Sequence, residues 1–179
     1  RQRGIARERL CSYDELVSWS LRAGLPEPAQ GKRLRARALR RPALANAALG
    51  RARELRELIY ALFRAIAEGK TPPSRTVGRL TEWWRAERSR REIAYVDGGF
   101  ELQLESRGDE LDAMLWPIVA SAVDLLTSGT LALVKRCGEC DWLFVDESKN
   151  GSRTWCKDSC GDRARARRYY ARHRHDGDA

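Results

Sequence analysis

Apolar residues recur at intervals of three and four along most of the first 129 positions, and this period predicts amphipathic α-helices. The first predicted helix opens with a capping box, Ser12-x-x-Glu15. Pro117 interrupts the last apolar pattern, so we expect either a kink there or a helix that starts at this proline. The predicted helices span residues 12–23, 32–40, 42–68 and 73–89, with a further helical pattern from Leu111 to Gly129.

The period changes to two between residues 93 and 104. The segments Ile93–Val96 and Phe100–Leu104 flank a glycine-containing turn at 97–99, which together predict a β-hairpin. In the helix before it, Trp83 and Trp84 are predicted to be core residues beside Leu80, in preference to an aromatic platform for a base. We therefore predict a mainly α N-terminal domain, residues 1–129, with one small β-hairpin.

Four cysteines dominate the rest of the chain. Cys137 and Cys140 are separated by two residues, fifteen residues follow, and Cys156 and Cys160 are separated by three. Two close thiolate pairs at this distance complete a tetrahedral zinc site, whereas two disulfides would need an oxidising compartment and would close very short loops. Four cysteines also close the coordination shell, so we predict a structural zinc ion and no catalytic one. The fifth cysteine, Cys11, is predicted to be a buried, inert thiol.

The residues between the cysteines predict a treble-clef-like zinc finger over 130–179. Gly138 is expected to permit the tight turn beneath the ion, residues 141–145 to form a strand, and residues 149–152 to form the turn of a hairpin. Residues 153–155 would then return towards the metal, and Asp162 would cap the last helix. Three aromatic side chains are expected to pack around the sulfurs: Trp142, Phe144 and Trp155.

Charge distinguishes that last helix from the rest of the chain. The sequence has 34 Lys and Arg residues against 25 Asp and Glu, a net charge of +9. Residues 163–174 contain six arginines and no acid. No acidic partner stands at i+4 within residues 163–171, so we expect the arginines to be unpaired along the helix. Binding to phosphates is favoured over a merely solvated helix. The predicted DNA contacts are Arg153, Lys157, Arg163, Arg165, Arg167, Arg168, Arg172 and Arg174.

These motifs carry a resemblance. The stretches 136–146, 150–156 and 160–163, followed by a basic helix, resemble the bacterial CGNR zinc-finger family. The helical part, with residues 12–17 and 122–127, is similar to the ABATE domain that precedes that finger. The resemblance implies a stress-induced transcription regulator that binds DNA. Two departures stand out: Asp162 replaces the signature asparagine, and the second cysteine pair is one residue closer than in the family.

The resulting hypothesis is a cytoplasmic, non-enzymatic regulator that binds duplex DNA, with no catalytic residues. Its helical domain would sense a small-molecule effector or form a homodimer. The alternative is an RNA- or protein-interaction module in which zinc is purely structural. No apolar run approaches the ~20 residues of a membrane span, so no membrane partner is expected. The only methionine is Met114, and we expect the sequence to be a fragment of a longer chain.

Overall fold

The computed structural model describes residues 8–25, 28–104 and 110–173. Within these ranges the protein is mainly helical, with two small antiparallel sheets, and the predicted fold class is confirmed. The helices are α1 (Tyr13–Arg22), α2 (Pro28–Arg40), α3 (Pro42–Ala67), α4 (Ser74–Arg88), α5 (Leu115–Thr127) and α6 (Asp158–His173), with a 3₁₀ turn at Leu131–Leu133. The strands are β1 (Arg91–Val96), β2 (Gly99–Leu104), β3 (Val134–Arg136) and β4 (Leu143–Val145).

Local signals account for the helix starts. At α1 the Ser12 hydroxyl accepts from the Glu15 amide at 3.2 Å, and the Glu15 carboxylate accepts from the Ser12 amide at 2.9 Å, so the predicted capping box is confirmed. Helix α5 begins at Leu115, which places Pro117 in its first turn. A first-turn residue needs no intrahelical N–H partner, so the proline is accommodated without a kink, and the helix begins two residues before it.

The chain divides into two compact units. Residues 1–59 and 78–124 form the first, and residues 60–77 and 125–179 form the second. The first unit contains the main core, in which Leu16 and Val17 of α1 are fully buried and the Tyr13 hydroxyl donates to the carbonyl of Leu111 at 2.7 Å. The predicted domain division at residues 129 and 130 stays a prediction.

Several predicted core positions are exposed. On α4, Leu80 and Trp83 are buried as expected, but Trp84 is exposed. The inward stripe of α4 continues through Glu87, one turn after Trp83, so Trp84 projects about 100° away from it. The prediction of a buried thiol at Cys11 is also wrong, because this residue is exposed.

The predicted hairpin is confirmed, and it is longer than expected. Strands β1 and β2 pair antiparallel in one unbroken register from Arg91↔Leu104 to Val96↔Gly99. Asp97 and Gly98 form the connecting turn with φ of 49° and 88°. Two successive residues with positive φ give the turn a twist that matches the twist of the strands.

The second unit contains the second sheet. Its strands β3 and β4 pair antiparallel, with Lys135 opposite Phe144. Residues 131–133 form the 3₁₀ turn, and β3 follows it directly at Val134. No helix among the described residues is long and apolar enough to cross a bilayer.

Candidate metal centre

The sulfurs of all four clustered cysteines converge on one point. They lie within 4.8 Å of one another, and the Sγ separations are 3.6 Å for Cys140–Cys156 and 3.7 Å for both Cys156–Cys160 and Cys140–Cys160. With Zn–S bonds of about 2.3 Å, the edge of a tetrahedral four-sulfur site is about 3.8 Å. The donor set and its spacing therefore fit zinc, held by Cys137, Cys140, Cys156 and Cys160.

The first ligand pair lies in a tight turn between β3 and β4. The Cys137 amide donates to the Trp142 carbonyl at 2.8 Å, and the Asp141 amide donates to the Cys137 carbonyl at 3.3 Å. The residue with positive φ in this turn is Asp141, at 61°, and not the predicted Gly138. The chain reverses its direction after the second ligand, Cys140. The left-handed conformation therefore falls at Asp141 and not at Gly138.

The second ligand pair straddles the start of α6. Cys156 precedes the helix, which begins at Asp158, and Cys160 lies in its first turn and is fully buried. Asp162 is therefore the fifth residue of α6, and the prediction that it caps the helix is wrong. Cys156 and Cys160 are separated by three residues, and a helical turn over these residues brings both sulfurs to one ion. The helix must therefore begin before Cys160, and so before Asp162.

Backbone groups prepare the site for thiolates. Burial acts to raise the pKa of Cys137, but the amides of Cys156, Glu139 and Cys140 donate to its sulfur and hold that pKa at about 6. Burial, followed by hydrogen bonds from the neighbouring cysteines, raises the pKa of Cys156 to about 12. A bound dication deprotonates its coordinating thiols, and with four thiolates it has no open position for catalysis.

A buried carboxylate connects the strands to the segment that leads to Cys156. Asp146 is almost fully buried and accepts from the Lys135 Nζ at 2.6 Å, the Ser148 hydroxyl at 2.7 Å and the Arg153 amide at 2.9 Å. The Lys135 ammonium, with the Ser148 hydroxyl next, holds the pKa of Asp146 far below its usual range. Sequence reasoning assigned it no role, although an acid between a strand and a predicted turn is a signal for backbone bonding.

The predicted return strand does not form. Residues 153–155 lie outside any strand, and β4 pairs with β3 instead. The returning segment is held to the first ligand turn by one backbone bond, from the Gly138 amide to the Thr154 carbonyl at 3.2 Å. Asp146 and this single bond replace the expected strand pairing.

Most of the predicted arginine contacts already have partners within the protein. Arg167 binds Glu139 through two hydrogen bonds, at 3.1 and 2.6 Å, and Arg165 pairs with Asp162. Arg163 donates to the Cys160 sulfur at 3.0 Å. The expectation of unpaired arginines is therefore wrong, because the partners stand three residues away or in the first ligand turn.

The remaining predicted contacts differ in how they are held. The Arg168 guanidinium lies 6.0 Å from the centre of the Trp155 ring, and Arg153 donates to the Cys156 carbonyl at 2.9 Å. Within the described residues, the side chains of Lys157 and Arg172 are exposed and have no ion-pair or hydrogen-bond partner. Arg174 lies outside the described residues.

Aromatic side chains are more exposed than the sequence indicated. Trp142 is 66% exposed, so it does not pack around the sulfurs, whereas Phe144 and Trp155 are half-buried as expected of a small core. On α6, Tyr169 and Tyr170 are exposed, and neither was among the predicted site residues. The helical period places both tyrosines away from the buried Cys160 and Ala164, so their exposure could have been predicted.

The first ligand turn is also held by the C-terminal end of α3, within the second unit. The Tyr60 hydroxyl donates to the Asp141 carbonyl at 3.3 Å, and Arg136 lies 3.4 Å from the Glu68 carboxylate. Lys70, then Arg64, hold the pKa of Glu68 at about 2, so this carboxylate is ionised at neutral pH. The metal centre therefore has a helical support beyond its own loops.

These features define a zinc finger with a basic C-terminal helix, attached to a helical unit. Comparison with known protein families matches residues 134–173 to the CGNR zinc finger. Residues 1–129 match the ABATE family, described as "Putative stress-induced transcription regulator", and the chain belongs to that family. A comparison with curated proteins finds no match.

The metal site predicts one zinc ion per chain. Changing Cys160→Ser removes one thiolate, and we expect native mass spectrometry to find less than one zinc per chain, with reduced helix content by circular dichroism. Cys11→Ser is the matched control, because it removes an exposed cysteine outside the cluster. Full zinc loading of the Cys160→Ser protein would contradict the assignment.

The buried carboxylate predicts a second effect. Asp146→Asn removes the charge that holds Lys135, so we expect zinc transfer to a chromogenic chelator to become roughly tenfold faster. Glu147→Gln is the control, since it makes the same change of charge at the exposed neighbouring position. Equal transfer rates for the two variants would show that Asp146 does not stabilise the metal centre.

Proposed function

We propose that the protein is a cytoplasmic transcription regulator that binds duplex DNA through α6. The observation that carries the proposal is a stripe of three exposed arginines, Arg165, Arg168 and Arg172, on one flank of this helix. Residues at these positions fall within about 60° of arc on an α-helix. The same helix is fixed on its inner side by the zinc ligand Cys160 and the buried Ala164.

The chemistry of the stripe suits phosphates. A guanidinium presents a planar fork of donors that matches phosphate oxygens, and an immobilised helix loses little entropy when it binds. Arg168 lies against Trp155, which restricts its side chain before any contact. The Asp162 carboxylate beside Arg165 would repel phosphate, so we assign the strongest contacts to Arg168 and Arg172, with Lys157 as a further cation.

Arg163 and Arg167 have a different role in this proposal. Arg167 lies across the first ligand turn, where it binds Glu139, whose side chain is only 11% exposed. Arg163 donates to the sulfur of Cys160, which would be a zinc ligand. Both therefore position α6 against the metal centre, and their removal would affect DNA binding indirectly. Arg153 and Arg174 stay predicted contacts.

The exposed aromatic residues favour a second candidate, binding of single-stranded RNA. Trp142, Tyr169 and Tyr170 are all exposed, and unstacked bases bind to aromatic faces of this kind. Duplex DNA offers no such bases. A preference for single strands would therefore favour the RNA-binding alternative over the regulator we propose.

An effector role for the helical unit also stays a proposal. Two buried polar atoms there, Glu87 Oε2 and Trp116 Nε1, have no hydrogen-bond partner within the described residues. Both lie near Trp83, since Glu87 follows it by one helical turn and the Trp116 ring centre is 5.9 Å from the Trp83 ring centre. Glu87 Oε2 needs a donor and Trp116 Nε1 needs an acceptor, and a small polar molecule or a water supplies either. We place the predicted effector here.

Salt dependence tests the proposed DNA contacts. We expect the double variant Arg168→Ala/Arg172→Ala to bind duplex DNA more weakly and to flatten the slope of log K against log salt by about 2, because each phosphate contact contributes about 0.9. Fluorescence anisotropy with a labelled duplex gives both values. The charge-matched control is Arg85→Ala/Arg88→Ala on α4, two exposed arginines with no partner within the described residues.

The competing outcomes are distinct. Tighter binding of unstructured RNA than of duplex DNA would favour the second candidate. Loss of affinity in both double variants alike would indicate a response to net charge and not to α6. A zinc-loaded wild-type protein with no affinity for any nucleic acid would overturn the proposal and leave a protein-interaction module.

A further inference from the structure

One face of the β1–β2 hairpin carries large apolar side chains in contact with solvent. Ile93 and Leu102 face each other across the strands, as do Tyr95 and Phe100. Their exposed fractions are 74%, 52%, 68% and 78% for Ile93, Leu102, Tyr95 and Phe100 respectively. The opposite face carries Glu92, Gln103 and Glu101. The hairpin therefore has one apolar and one polar face, as a packed sheet does, but its apolar face is exposed to solvent.

This face continues outward from the core of the first unit. At the base of the hairpin, Leu104 packs against that core, and Arg91 pairs with the buried Glu87. Beyond them, the Tyr95 and Phe100 rings pack against each other with centroids 5.1 Å apart. An isolated two-stranded hairpin is marginally stable in water, and a contiguous exposed apolar patch marks an interaction site.

We propose that this face binds the same face of a second copy of the chain. The four side chains leave on the order of 600 Å² exposed on each copy, so two facing patches bury roughly 1,200 Å², the lower bound of a specific interface. A partner with an equally apolar surface buries no polar group without a hydrogen-bond partner, and the patch supplies such a surface itself. A two-fold axis meets this condition, because each copy then presents the same residues.

The composition of the face supports self-association over other occupants. None of its four members carries a charge, so it does not demand a charged partner. Within the sequence, residues 1–7, 105–109 and 174–179 contain one large aliphatic residue, Ile5, which is too little apolar surface to cover four side chains. This apolar face would therefore be the surface through which two copies associate, whether or not the protein binds DNA.

Sedimentation velocity over a wide range of concentration tests the proposal on the full zinc-loaded chain. We expect wild type to form dimers that dissociate on dilution. Phe100→Glu would place an unpaired carboxylate in the apolar interface and raise the dimer dissociation constant by at least about 100-fold. Gln103→Glu is the matched control, because it adds the same charge to the opposite face of the same strand, and its dissociation constant should stay unchanged.

Hydrogen exchange provides a second readout that does not depend on a variant. The amides of β1 and β2 should exchange more slowly at high protein concentration, while those of α4 should not change. Circular dichroism should find Phe100→Glu folded, because the side chain is exposed in the single chain. Wild type that stays monomeric throughout, dimers that survive in Phe100→Glu, or equal losses in Gln103→Glu would each overturn the proposal.

Discussion

The four-sulfur cluster is the constraint on which the second unit depends. Apart from two cysteines, its buried apolar side chains in the described residues are few: Leu62, Phe63, Val134 and Ala164. So small a core cannot offset the conformational entropy of the loops around it. Zinc binding contributes about 10–16 kcal/mol in peptides of this class, and it also fixes the start of α6 relative to the first ligand turn. The direction in which the arginines project follows from that attachment.

Because α6 is attached in this way, not all of its arginines are equally available to bind a partner. The basic helix is partly neutralised by its own surroundings, since Glu139 and Asp162 each bind one arginine. The pairs are exposed on the arginine side and would contribute little stability, but they restrict the side chains to particular directions. An arginine already bound to a carboxylate contributes less to binding a polyanion than net charge implies. The geometry therefore divides the helix into a flank that anchors it and a flank that faces a partner.

The sequence was sufficient for the elements and the metal ligands because those signals are local. Helical period, the capping box and the cysteine spacing are each read within a few residues, and the structure confirms them. The errors arise where the exact start of a helix or a distant partner decides the result. Helix α6 begins four residues before Asp162, so the supposed cap became an exposed helical residue. Lys135 pairs with Asp146 across 11 residues and Glu139 pairs with Arg167 across 28, which no local pattern could specify.

Local sequence patterns are equally insufficient to predict whether the apolar face of the β1–β2 hairpin is covered. Alternation predicts two strands and an apolar face, but it does not say whether the chain itself covers that face. Within residues 8–25, 28–104 and 110–173 the face stays exposed, and Leu104 at its base packs against the core. A two-fold pair of such hairpins would place two arginine helices in one particle. If both helices bind one duplex, the second contact is intramolecular and overall affinity can rise by 10²–10⁴ without a new protein–DNA contact. Self-association would then let a helix with few free cations bind DNA tightly.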